Sequence, residues 1–128
     1  MKTPQLSLFA KLTQKKERGN QAEDKACQYL QKQGLKLLSK NFSTKAGEID
    51  LIMRDGETLV FVEVRYRKNS DFGGAAASVT PKKQQRIIKA ALAYQQKEAP
   101  QSSMRFDVVA LEGDNMALNW IKSAFDGF

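Results

Sequence analysis

Apolar residues follow two rhythms along this chain, and the switches between them mark out the elements. From Glu17 to Gln33 the spacing is helical: Ala22, Ala26 and Leu30 share one stripe, with Tyr29 beside it. Gly34 then serves as a C-terminal cap. "LKLLSKNF" (35–42) reads as a first strand, with a helical reading also open, and "TKAG" turns the chain. Residues 48–54 and 58–66 alternate apolar and polar around Asp55-Gly56, a favoured turn pair, and so predict a hairpin. "NSDFGGAAASVTP" is a loop of small residues. Thr80 as N-cap, Pro81 at the first position and a stripe of Ile87, Ile88, Ala91, Leu92 and Tyr94 predict a second helix. "RFDVVAL" (105–111) and "ALNWIKSAF" (117–125) complete the strands. The order α-β-β-β-α-β-β predicts an α/β domain, a central mixed five-stranded sheet flanked by helices. Residues 1–16 lack periodicity and are expected to form a flexible basic arm ahead of a single domain, 17–128.

Two acids interrupt the hairpin. On the second hairpin strand Leu59, Phe61, Glu63, Arg65 and Arg67 point one way, and Val60, Val62, Val64 and Tyr66 the other. On the first, Glu48, Asp50 and Ile52 share a face. With Asp55 and Gly56 as the two turn residues, Asp50 lies opposite Phe61 and Glu48 opposite Glu63. Asp50 and Glu63 are then diagonal neighbours, roughly 7–8 Å apart at the backbone. Facing acids repel, and burial sharpens the penalty. A divalent cation removes both problems, because two carboxylates and a backbone carbonyl can hold it and leave room for water and phosphate. Taken singly, Glu63 reads as well as the partner of a neighbouring arginine, and Asp50 as an exposed strand end.

Glu23 falls within the apolar stripe of the first helix, so packing on the sheet would aim it at the same place. The spacing Asn20-x-x-Glu23 also fits a capping box, if the helix starts late. The second helix opens on Lys82 and Lys83, cations that oppose the helix dipole. A bound phosphate would resolve that conflict; solvent screening of long side chains would as well.

Composition narrows the chemistry. The chain has 128 residues, of which 41% are hydrophobic, enough to fill one core. It has no histidine and one cysteine, Cys27. That excludes a Ser-His-Asp triad, a Cys-His pair, a His-ligated zinc site and an internal disulfide. Any enzymatic chemistry falls to carboxylates, lysines, arginines or hydroxyls, and any metal is a hard ion such as Mg²⁺ or Mn²⁺. No apolar run approaches a membrane span, the N-terminus makes a poor signal peptide, and the lone thiol fits a reducing cytoplasm. The net charge is +7 and uneven. Residues 1–18 hold five cations against one acid, and residues 65–89 seven against one. Residues 98–128 lean acidic, with five acids against two bases. Two basic clusters suit a polyanion such as DNA or RNA, or a merely solvated surface.

The helix carrying Glu23, then Asp50, then Glu63-Val64-Arg65 resembles the PD-(D/E)xK nuclease superfamily, in particular its archaeal Holliday-junction resolvases. "GEIDLI", "FVEVRYR", "GGAAASVTPKKQQRI" and "RFDVVA" further resemble the YraN-like family of small bacterial proteins, from about Gly19 to Ile121. The resemblance implies a restriction-endonuclease-like core with divalent metal at an acidic sheet edge. Asp50 and Glu63 match the metal-binding acids, with the Val64 carbonyl as a further ligand. Glu23 matches the first-helix glutamate, which would orient water or help hold a second ion. Arg65 stands where the motif has lysine. Gln84 matches, less securely, a polar residue lining such sites. Arginine stays protonated and cannot act as a base, but it can clamp phosphate or stabilise developing charge.

The expectation is a Mg²⁺- or Mn²⁺-dependent endonuclease on DNA, branched or structured. Asp50, Glu63, Glu23 and Arg65 would carry the chemistry, and Arg67, Lys68, Lys82, Lys83, Gln84 and Arg86 would line the phosphate backbone. Homodimerisation is implied by analogy with the resolvases. Two other readings stand beside it. One is a nucleic-acid-binding module that keeps the nuclease fold without cleavage, which Arg65 favours. The other is a protein-interaction scaffold using the acidic tail and exposed Trp120, Phe125 and Phe128.

Overall fold

A computed structural model describes residues 7–69 and 74–127. The elements are α1 (Leu8–Lys32), β1 (Lys36–Ser43), β2 (Glu48–Asp55), β3 (Thr58–Arg67), α2 (Pro81–Glu98), β4 (Met104–Glu112) and β5 (Ala117–Phe125). The expected α-β-β-β-α-β-β order and five-stranded mixed sheet are borne out. The strands lie in the order β1-β2-β3-β4-β5. All neighbours are antiparallel except β3 and β4, which run parallel because α2 makes the crossover between them.

α1 starts well before Glu17. Ser7 caps it by accepting from the Ala10 N–H, so from residue 8 the stretch read as an arm is helix. Residues 1–6 lie outside the described residues. The early start also places Glu23 in mid-helix, which removes its capping-box reading. The far end closes as expected: Gly34 takes φ +99, and the N–H groups of Gly34 and Leu35 bond the Gln31 and Leu30 carbonyls.

Each face of the sheet carries its own core. Ala22, Ala26, Cys27 and Leu30 of α1 pack on Leu51, Met53, Val60, Val62, Val64, Val109 and Leu111. Ile87, Ile88, Ala90 and Ala91 of α2 pack on Ile49, Ile52, Leu59, Phe61, Phe106 and Val108 on the other side. β3 therefore alternates as its sequence predicts. β2 does not: Ile49 joins the α2 side and Leu51 the α1 side, with one residue, Asp50, between them. The strict alternation that put Glu48, Asp50 and Ile52 on one face breaks at Asp50.

The hairpin register also differs from expectation. Asp55 pairs with Thr58, so the two turn residues are Gly56 and Glu57. Gly56 takes φ +61, which suits the first central position of a II′-type turn. The last registered pair is Leu51 with Val62. One step further, Asp50 stands across from Glu63 instead of Phe61.

A second acid is wholly enclosed. Asp107 on β4 has no exposed surface. It accepts from Arg105 Nε and Nη2 at 3.0 Å each, Trp120 Nε1 at 2.9 Å and the Ser123 N–H at 3.0 Å. Arg105 also reaches Asp55 at 2.9 Å, tying the hairpin turn to β4. The β4–β5 register slips between Phe106 and Val108, which opens the backbone to this side chain. Trp120 is thus half-buried and bonded, and Phe125 stacks on Phe106 at 5.2 Å. Neither is the exposed aromatic the scaffold reading needed; Phe128 lies outside the described residues. Removing one partner from a buried, fully bonded ion pair costs about 3–5 kcal/mol. Asp107→Ala is expected to lose about 3 kcal/mol of unfolding free energy, measured by urea denaturation. A loss under about 1 kcal/mol would show that the network contributes little.

Candidate metal centre

The sheet divides where β2 and β3 part. Past Leu51 and Val62 the backbone ladder ends, and the Asp50 carboxylate takes over, accepting the Val64 N–H at 2.8 Å. This anchors the carboxylate on the seam between the strands. Glu63 stands beside it, its side chain 12% exposed. Its carboxylate meets Arg65 Nη1 at 3.5 Å, the ion pair read from sequence as the competing role for Glu63. Arg65 is held from the other end as well: its Nε donates to Ser78 Oγ at 2.8 Å, and Ser78 donates to the Ala75 carbonyl.

The loop that brings Ser78 depends on Gly74, which has φ +78 and where a Cβ would lie 2.2 Å from Glu112 Oε1. That same oxygen accepts the Ala75 N–H at 2.9 Å. Ser78 and Glu112 are positioning residues that the sequence reading missed. Small residues around Ser78 marked a tight loop, but nothing in their pattern named Arg65 as its partner.

Electrostatics bind the acids into one set. Burial pushes Glu63 from its ordinary 4.5 up to about 8, and Asp50 adds to the rise while Arg65 and Lys83 oppose it. Asp50 is raised too, first by burial, against the pull of the Val64 N–H. The two carboxyls are close enough to act on each other, Asp50 pushing Glu63 up further. Glu23 comes from α1 on the opposite face of the sheet. Burial, then Asp50 and Glu48, push it up to about 7. Its Oε1 is buried with no hydrogen-bond partner. Asp50 is the shared neighbour, between Glu63 from β3 and Glu23 from α1.

This donor set suits a hard divalent cation. The carboxylates resist ionising for want of positive charge, and one buried oxygen is unpartnered. Among the described residues no three or more His, Cys, Asp or Glu form a ready-made cage. The core of the set is therefore the Asp50–Glu63 pair, which leaves further ligand positions to backbone and water.

The structure brings some expected contacts together and not others. Lys83 is near enough to Glu63, Arg65 and Arg67 to feel their charge, and burial followed by Arg65 lowers its pKa. Arg67 and Lys68 line a groove with α1, and neither Lys82 nor Arg86 joins it. Lys82 and Arg86 are exposed on α2. Gln84 donates to the Val79 carbonyl at 3.1 Å.

A five-stranded mixed sheet between two helices, split over paired carboxylates, defines the class: an α/β domain with an acidic seam. Residues 22–111 match the family model described as "Uncharacterised protein family UPF0102". The chain belongs to that family, so the YraN-like resemblance is borne out at family level. A UPF0102 protein of Herminiimonas arsenicoxydans is 54% identical over 108 residues, 84% of this chain and 86% of that protein. One from Vibrio campbellii is 51% identical over 116 residues, 88% of this chain and 95% of that protein. One from Coxiella burnetii is 55% identical over 110 residues, 84% of this chain and 91% of that protein. Among the described residues no helix is long and apolar enough to cross a membrane.

The raised carboxylates fix a sign for stability. A group that binds its proton more tightly when folded stabilises the fold at low pH and loses that contribution as pH rises. For Glu63 the window runs from about 4.5 to about 8. In EDTA, the melting temperature of wild type relative to Glu63→Gln is expected to fall across that window, because Gln has a similar shape and does not ionise. Mn²⁺ is expected to raise wild-type Tm more at pH 8 than at pH 6, since metal and proton compete for the same oxygens. A wild-type-minus-variant difference flat across the window, in calorimetric scans, would contradict the carboxylate coupling.

Proposed function

We propose that this protein is a metal-dependent nuclease acting on DNA phosphodiester bonds. The observation that carries the reading is the part-buried Asp50–Glu63 pair at the point where β2 and β3 separate, anchored by the Val64 N–H, with an unpartnered buried oxygen of Glu23 close enough for Asp50 to act on it. Asp50 and Glu63 would hold Mg²⁺ or Mn²⁺, with the Val64 carbonyl as a further ligand and Glu23 beside them. The ion would supply charge to polarise a phosphate and lower the pKa of a bound water.

The chain's own groups do the remainder. Arg65, fixed between Ser78 and Glu63, meets negative charge on the phosphate; it holds its proton throughout and serves no base role. Lys83 adds a cation on the same side. Arg67 and Lys68 hold the backbone of the nucleic acid without reading its sequence. Branched or structured DNA is the substrate class that the resolvase resemblance favours.

One observation favours a second reading, a nucleic-acid-binding module that keeps the fold without cleaving. The Glu63–Arg65 ion pair already partners an acid that the metal needs. Titrating Mn²⁺ and Mg²⁺ by calorimetry, and assaying the same samples on labelled branched DNA, separates the two. Wild type is expected to bind Mn²⁺ and cleave, and Asp50→Ala to lose both, with activity down at least about 100-fold. Arg65→Lys, which shortens the cation and restores the motif residue, is expected to keep cleavage. Binding of Mn²⁺ without cleavage by any variant would select the second reading; no Mn²⁺ binding with DNA present would overturn the metal site itself.

A further inference from the structure

The stripe of α1 that packs on the sheet does not stop where the sheet does. Ala22, Ala26 and Leu30 cover the sheet, and the same stripe continues backwards through Arg18, Lys15 and Lys11. Its character changes from apolar to cationic where the core ends. Opposite it stand Arg65, Arg67 and Lys68 at the end of β3. Together they wall a groove of about 580 Å³ whose floor includes Val64 and Tyr66.

Six cations line the groove; Arg65 is turned to Glu63 and Ser78, and among the described lining residues there is no acid to pair with the other five. Like charges held across a groove repel, so the protein alone gains nothing from the arrangement. A polyanion laid between the walls converts the repulsion into attraction. The groove is the size of a site for one ordinary ligand, room for about one or two nucleotides of a single strand. Tyr66 offers an aromatic surface within it, half-buried and fixed by its hydroxyl's bond to the Gly113 carbonyl. A charged groove that tracks a backbone, with a ring for stacking, is the physical recipe for binding single strands.

We infer that this groove binds single-stranded nucleic acid, and that its Val64–Arg65 end delivers the strand to the acidic seam. The binding stands on the groove alone; the delivery rests on the nuclease reading. The α1 wall, Lys11 to Gly19, lies outside the residues 22–111 that match the family model.

The test uses the full chain in EDTA, with fluorescence anisotropy on a labelled mixed-sequence single strand of about a dozen nucleotides, and on its duplex. Wild type is expected to bind the single strand at least about tenfold more tightly than the duplex. The triple variant Lys11→Ala/Lys15→Ala/Arg18→Ala is expected to weaken single-strand binding at least about tenfold and to reduce the salt slope by about 2. Alanine favours the helix, and circular dichroism checks that it is retained. A control of equal charge loss, Lys32→Ala/Lys36→Ala/Lys89→Ala on exposed positions elsewhere, is expected to change binding less than about threefold. Equal losses in the two triples, a preference for duplex, or no single-strand binding by wild type would overturn the inference. Strand binding intact in EDTA while Mn²⁺ supports no cleavage would overturn only the nuclease reading; duplex cleavage without single-strand binding would overturn only the groove.

Discussion

One hydrogen bond decides where the buried acids meet. The Asp50 carboxylate takes the Val64 N–H, at the point where β2 stops pairing with β3 through its backbone. A strand N–H must find an acceptor, and here the acceptor is a side chain. The substitution lets the two strands part without leaving an orphan donor. It also fixes one oxygen of Asp50, so that the carboxylate lies in the seam and not on either face. Glu63 from one side and Glu23 from the other then meet the same charge. Without that bond the acids would be separate features of two different surfaces.

The surroundings bear the electrostatic load unevenly. Arg65 partly neutralises Glu63, and Ser78 in turn steadies Arg65. Glu23 has no such partner for its buried oxygen. Contrast Asp107, more deeply enclosed than any of these acids, where both carboxylate oxygens are occupied by donors. Asp107 is an acid built into the fold, whereas the seam acids keep unmet demand for positive charge. That difference between satisfied and unsatisfied burial separates Asp107 from the seam acids in this molecule.

Much of this was legible in the residues. Strong periodicity located every strand to within a residue or two, and Thr80-Pro81 announced α2. The apolar alternation of β3 put Glu63 and Arg65 on one face, as found; that face belongs to α2, however, and not to α1, where packing of the first helix was expected to bring Glu23 to the same place. The register was not legible, because Asp55-Gly56 and Gly56-Glu57 are both plausible turn pairs by composition, and only the backbone conformation at Gly56 chooses. The break in alternation at Asp50 was invisible for a related reason: Ile49 and Leu51 are both apolar, so the pattern looks regular while the chain is not. The front half of α1 went unseen since its inner stripe is lysine and arginine, which apolar periodicity does not count. Ser78, Glu112 and the bonding of Asp107 come from parts of the chain distant in sequence, and no local pattern encodes them.

That front half differs from the rest of α1 in how firmly it is held. None of its residues before Ala22 is buried, and Leu8, Phe9 and Leu12 are 73%, 80% and 57% exposed. A helix of that length without a packed face is marginal in water. The element is thus one helix geometrically and two thermodynamically, with the boundary at the edge of the core. Amide protons ahead of Ala22 open by local fraying, while those behind it open only when the core does. The segment that walls the groove is the one whose order the fold underwrites least, so whatever settles in the groove also completes the helix.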